Sequence, residues 1–301
     1  MKKGILVFAL LLVGMLAFGQ PTLTGTIETG FKVVNDATGT KVQQFDWNQG
    51  YPGWGQVVLN ATSGNTSADI YLKVTDYATL TAPYMWVTEK FGGLTLRVGS
   101  IYTCTFATAY NGIGGIDLQG VQAVYKLGPL SVGGSVPLTN VLTDVSSLTK
   151  FKAGASLDLG PVNILASYYN ATLPVITGSL SGTFGKLWTG VEVQNTSGSP
   201  IIISPYADLM ILNDKVELTL DSWTDTADIV KNSETEFWVN YWPVSTFRLM
   251  GRVNYVGTGY FKTREGFRLD TSKKDWIRVQ LDTSWTASPT HTLNAMFVHT
   301  L

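Results

Sequence analysis

The chain has 301 residues, of which 45% are hydrophobic and 12% aromatic but only 14% charged, against the roughly 25% charged residues of an ordinary soluble domain. Its net charge of −1 comes without a basic patch, which leaves no basis for nucleic-acid binding. The single cysteine, Cys104, excludes an internal disulfide framework.

The first element is "MKKGILVFALLLVGMLAFGQ", with two lysines, an apolar run over residues 4–18, and small residues at Ala17 and Gly19. This is the pattern of a cleavable secretory leader over residues 1–19. The run is about 15 residues long, short of the roughly 20 a spanning helix needs. No second long apolar run follows, which excludes a helical membrane protein. No cysteine follows the run either, so a lipidated N-terminus is not supported. Cleavage near Gln20 removes Lys2 and Lys3 from the 21 basic residues set against 22 acidic ones, leaving a net charge of about −3. Residues 20–301 show no composition shift and read as one domain.

From "TLTGTIETGFKV" onward the chain alternates apolar and polar residues, the period-2 signature of strands. We count about 17 such segments of roughly 9 to 11 residues, the length of a tilted strand that crosses a bilayer. Residues 35–83 are irregular, and "KVQQFDW" within them is a candidate extra strand. In "VQAVYKLGPLSVGGSV", Val121, Ala123 and Tyr125 share one face and Gln122, Val124 and Lys126 the other. Gly128 and Pro129 then force a turn, since glycine takes positive φ and proline cannot pair in mid-strand. The same Leu-Gly-Pro unit returns in "LDLGPVNILASYY". Further on, Phe151, Ala153, Ala155 and Leu157 oppose Lys152, Ser156 and Asp158. Phe247, Leu249, Val253 and Tyr255 likewise oppose Arg248, Arg252 and Asn254, and Ile277, Val279 and Leu281 oppose Arg278, Gln280 and Asp282.

The connections alternate in length. Tight ones fall at Gly92 and Gly93, at the two Gly-Pro pairs, and at Gly185, Asn213, Ser245 and Ser288. The long ones include "YTCTFATAYNGIGGID", "TNVLTDVSS", "DTADIVKNSE" and "GTGYFKTREGFRLDTSKK". A sandwich or a propeller has no need of that rule, whereas a membrane barrel does. On the apolar face, Tyr125, Tyr241 and Trp285 lie near tight turns and Phe31, Tyr168 and Tyr255 at the opposite strand ends. These positions suggest two interfacial girdles.

Together these features resemble the porin-like outer-membrane β-barrels of diderm bacteria, through architecture and through turns such as "YWPVSTFRL" and "WTASPTHTL". The resemblance implies an all-β, up-and-down antiparallel transmembrane barrel of 16 to 18 strands, with short periplasmic turns and longer extracellular loops. It implies outer-membrane lipid and the barrel-assembly machinery as partners, and a homotrimer by analogy. One feature departs from it. If the Gly-Pro turns are periplasmic, the last segment, "HTLNAMFVHTL", ends outside, although bacterial barrels have even strand numbers. Three explanations are open: a miscount in residues 35–83, which we prefer; a Ser288-Pro289 turn on the outside; or a missing closing strand.

A barrel of that size holds a water-filled lumen. The expected function is passive diffusion of small hydrophilic solutes and ions, with a non-conducting structural or adhesive barrel as the alternative. Arg97, Lys152, Asp158, Arg248, Arg252, Arg278 and Asp282 are the expected pore-lining charges, with the three C-terminal arginines as a positive wall. The segment at residues 102–117, with Cys104, Tyr110, Asn111 and Asp117, is a candidate constriction loop that folds into the lumen or covers its mouth. An enzyme is not expected. His291 and His299 share parity with the lipid-facing Leu293, Ala295 and Phe297, where a general base is useless. No metal-ligand spacing or cofactor motif occurs.

Overall fold

The structure, a computed structural model, describes residues 22–44, 54–75, 79–138 and 149–300. The expected leader, the end of "KVQQFDW" and "TNVLTDVSS" lie outside the described residues. The alternating segments form nineteen strands among those described. The first ten are β1 (Thr22–Asp36), β2 (Gly39–Gln44), β3 (Trp54–Ser63), β4 (Thr66–Thr75), β5 (Thr79–Phe91), β6 (Leu94–Ser100), β7 (Gln119–Leu127), β8 (Leu130–Pro137), β9 (Lys152–Asp158) and β10 (Val162–Tyr169). There follow β11 (Val175–Phe184), β12 (Leu187–Thr196), β13 (Ile202–Ile211), β14 (Val216–Asp225), β15 (Ser233–Val244), β16 (Phe247–Val256), β17 (Tyr260–Asp270), β18 (Asp275–Trp285) and β19 (Thr290–Thr300).

Apart from β2 and β3, each strand pairs antiparallel with its chain neighbours, and the ring closes where Phe31 of β1 stands opposite Ala295 of β19. Closure matters because an open edge would leave a row of unpaired backbone groups. Strands β2 and β3 share one place in the wall: β1 pairs with β2 from Phe31 to Asp36 and with β3 from Thr22 to Glu28. The wall is therefore an 18-strand closed barrel, at the upper end of the expected range.

This even ring corrects the expected topology in the C-terminal quarter rather than in residues 35–83. The segment "GTGYFKTREGFRLDTSKK", expected as a long loop, is mostly strand β17, with full registers to β16 and β18. The additional crossing puts the Ser288-Pro289 connection at the opposite end from the Gly-Pro turns. Strand β19 then returns to pair Thr300 with Thr26, so the closing strand is present and the first and last strands end at the same rim. That rim is the turn end, with tight connections at Gly92, Gly128, Gly160 and Gly185, each glycine at positive φ. The other rim is the loop end. Trp285, expected beside Tyr125 and Tyr241, belongs instead to the loop-end girdle, where Phe261 pairs with both Trp285 and Tyr255.

Burial is inverted relative to a water-soluble protein. Val253, pointing outward, is 48% exposed, and its chain neighbour Asn254, pointing inward, is 2% exposed. The same contrast runs round the wall. Val132, Ile164, Leu180, Leu249 and Phe297 are exposed outside, while Gln122, Ser167, Thr177, Glu192 and Gln280 are buried inside. The two buried apolar clusters among the described residues, Ala61 with Ile70 and Met296 with Val298, are small. A sheet with its greasy face outward is stable only where water is absent from that side.

Candidate functional site: the barrel lumen

Residues 101–118 connect β6 to β7 and run along the inner wall instead of standing over the mouth. The wall there is built to receive them. Gly133 of β8 pairs with Gly154 of β9, and a Cβ on Gly154 would meet the ring of Phe106 at 2.5 Å. Inward Ser135, Ser167, Thr177 and Ser179 are small as well, and buried. Ser135 Oγ donates to the Ile116 carbonyl at 2.5 Å, and the Gly115 N–H donates to Ser167 Oγ at 3.1 Å.

Three further contacts fix the segment. Tyr102 stacks on Tyr84, with ring centroids 4.5 Å apart. Tyr110 stacks on Tyr206 of β13 at 4.6 Å and leans on Trp188 of β12. The Tyr110 N–H donates to the Glu192 carboxylate at 2.8 Å and the Asn111 N–H at 3.2 Å. Glu192 is completely buried beneath the segment, so its charge is matched by backbone donors. Burial pushes the Tyr110 phenol up to about 12, with the Asp221 carboxylate adding to it. Burial, then the negative charge of Asp117, also raises the Cys104 thiol.

Asp117 ties the base of the segment together. It accepts from the Thr103 and Cys104 N–H groups, from Thr103 Oγ1 at 2.9 Å and from Gln122 Nε2 at 3.0 Å. Gln122 Oε1 in turn accepts from Arg97 Nη1 at 2.6 Å, and Lys152 Nζ donates to the Asp117 carbonyl at 2.7 Å. Two of the residues expected to line the pore, Arg97 and Lys152, thus hold this segment in place. Asp158 stands at the turn-end rim, exposed, and accepts from the Gly160 N–H at 3.0 Å. It clips the Gly-Pro turn and stands apart from the other charges.

The remaining expected charges converge on the wall formed by β15 to β18. Arg252 pairs with Glu236, and Asp282 pairs with Arg264 and accepts from Asn294 Nδ2 at 2.6 Å. Arg252 lies over the Trp238 ring at 4.5 Å and Arg248 over Trp242 at 5.6 Å. Arg268 and Arg278 both lie over Trp276, at 4.4 Å and 5.0 Å. A cavity of about 610 Å³ opens along this wall, lined by Lys32, Glu234, Arg252, Arg264 and Asp282 among others.

Sequence reasoning missed Arg264 and Arg268 because their strand was read as loop. It also missed Glu192, whose partners lie about eighty residues earlier, and the inward tryptophans. The available signal for β17 was Lys262, Arg264 and Arg268, all on the even-numbered face with Gly266 between the arginines, opposite Phe261, Phe267 and Leu269. No group of His, Cys, Asp or Glu able to hold a metal occurs among the described residues.

No protein-family model matches the chain, and no curated protein matches it. Solved structures do. A mutant of Rh. blastica porin superimposes with a TM-score of 0.60 at 11% identity, covering 93% of this chain and 100% of that one. A structure titled "Asymmetric conductivity of engineered proteins" gives 0.61 at 10% identity over the same shares. A triple mutant of Rhodopseudomonas blastica porin gives 0.60 at 10% identity. The chain has the fold of a porin-like transmembrane β-barrel.

Proposed function

We propose that this chain is an outer-membrane channel for passive diffusion of small hydrophilic solutes and ions, exported by the leader at residues 1–19. The carrying observation is the inverted ring: a closed 18-strand wall, apolar outside and lined inside by charged and amide side chains. A wet interior and a greasy exterior have one physical use, which is to keep water in a passage through hydrocarbon. The segment at residues 101–118 narrows that passage from one side and leaves the arginine-bearing wall as the opposite bank. Charges of both signs on the banks set ion preference. Outer-membrane lipid surrounds the barrel, the assembly machinery inserts it, and three copies associate as in the group it resembles.

The test is solute flux. Liposomes carrying the refolded protein should swell in isotonic solutions of small sugars, at rates that fall with solute size. Swelling no faster than that of empty liposomes, from protein shown to be folded and inserted, would contradict the reading and leave a structural barrel in its place.

A further inference from the structure

We propose that Gln280, Asn294 and Lys32 form a binding site for an α-amino acid zwitterion, a ligand that carries its ammonium and its carboxylate on one carbon. The inference rests on reading the lumen as a water-filled passage. In the register, Asn294 of β19 stands directly opposite Gln280 of β18 on one side and directly opposite Lys32 of β1 on the other. The three residues therefore cross adjacent strands at one height, with steps of about 4.8 Å between strands. All three line the cavity of about 610 Å³. Gly266 of β17 stands beyond Gln280 in the same row and brings no side chain to cover it.

One carboxylate fixes both amides. Gln280 Nε2 donates to Asp282 Oδ2 at 2.9 Å, and Asn294 Nδ2 donates to the same oxygen at 2.6 Å. Arg264 pairs with Oδ1 of Asp282. These bonds decide which atom of each amide is the oxygen, and they turn both amide oxygens away from Asp282. Gln280 is 2% exposed and Asn294 3%, yet Gln280 Oε1 and Asn294 Oδ1 have no hydrogen-bond partner among the described residues. Leaving a buried acceptor unpaired is costly, so two of them on neighbouring strands call for a donor. An amide whose N–H is held by a carboxylate is polarised, which makes its oxygen a stronger acceptor.

The third residue narrows the ligand. Water would answer the two oxygens but not the Lys32 ammonium, which has no carboxylate within ion-pair distance among the described residues. A simple anion answers Lys32 but brings more acceptors to two oxygens that lack donors. A simple ammonium answers the oxygens but stands one strand from Lys32, and like charges on adjacent strands repel. An α-amino acid answers all three residues. Its ammonium donates to Gln280 Oε1 and Asn294 Oδ1, and its carboxylate, one carbon away, meets Lys32 on the next strand.

The experiment is saturation-transfer NMR of the detergent-folded full chain, titrated at equal ionic strength with L-alanine, propionate, ethylammonium and 4-aminobutyrate. A saturable response to alanine is expected. Its half-saturating concentration should lie about tenfold or more below those of propionate and ethylammonium, the scale of one charge-assisted contact. In 4-aminobutyrate the two charged ends stand three carbons apart, and it should also bind more weakly than alanine. Lys32→Gln and Gln280→Leu should each raise the half-saturating concentration for alanine about tenfold or more. Lys126→Gln, at the turn end of β7, should move it less than about twofold. Propionate, ethylammonium or 4-aminobutyrate binding as tightly as alanine overturns the proposal, as does unchanged half-saturation in both the Lys32 and the Gln280 variant with heat-modifiable migration intact. Saturable alanine binding by a barrel that passes no solute would remove the channel reading and leave the site, while solute flux without alanine binding would remove the site alone.

Discussion

Glu265 stands at the middle of the outward row of β17, exposed, with Gly251 and Leu281 opposite it in register. A carboxylate there faces hydrocarbon, and it is the residue that hid the strand, since it breaks the apolar alternation between Phe261 and Phe267. Replacing it should stabilise the barrel. Glu265→Leu is expected to gain about 1–2 kcal/mol, somewhat less than the scale for a basic residue at the bilayer midplane, as measured by denaturant unfolding in lipid vesicles. A loss of stability would mean that Glu265 meets a polar partner on the outer wall. Cys104 supports a second test, because its raised pKa lowers the thiolate fraction at any given pH. Alkylation followed by mass spectrometry should show a midpoint above the usual thiol value of about 8.5. Asp117→Asn should bring it down by removing the second cause, and a midpoint at or below the ordinary value would contradict the raised thiol pKa.

At the scale of elements, the strands were legible wherever both faces obeyed the rule, and the tight turns wherever glycine or proline had to supply the geometry. The path of the segment at residues 101–118 was not legible. Its own composition, uncharged and glycine-rich at one end, allows it to lie inside or outside. What decides is a receiving surface scattered over β8 to β12: Gly133, Gly154, Ser167, Thr177 and Glu192. No local pattern announces that these small residues and one carboxylate face a single partner. Deleting residues 105–113 should raise single-channel conductance, and an unchanged conductance would show that the segment does not constrict the passage. Glu192→Ala removes the acceptor of two backbone donors, a loss of about 1.5–3 kcal/mol. Current recordings should then show added open-channel noise while the thermal unfolding of the wall is little changed.

For the whole molecule, the low charge, the scattered glycines and the period of two were sufficient for an all-β barrel. The exact ring was not, because one misread strand shifts the sidedness of everything after it. Trp285 and the Ser288-Pro289 turn changed ends together for that single reason. The arginine wall was visible as three residues and proved to be five, since β17 inserts Arg264 and Arg268 between β16 and β18. The central claim is that this wall borders an open aqueous passage. Single-channel current from the refolded protein in a planar bilayer, with a salt gradient across it, tests this most directly. The account expects discrete, reproducible steps and a reversal potential that moves toward cation preference when Arg248, Arg268 and Arg278 are all replaced by Gln. Silence from protein demonstrably folded and inserted would contradict it.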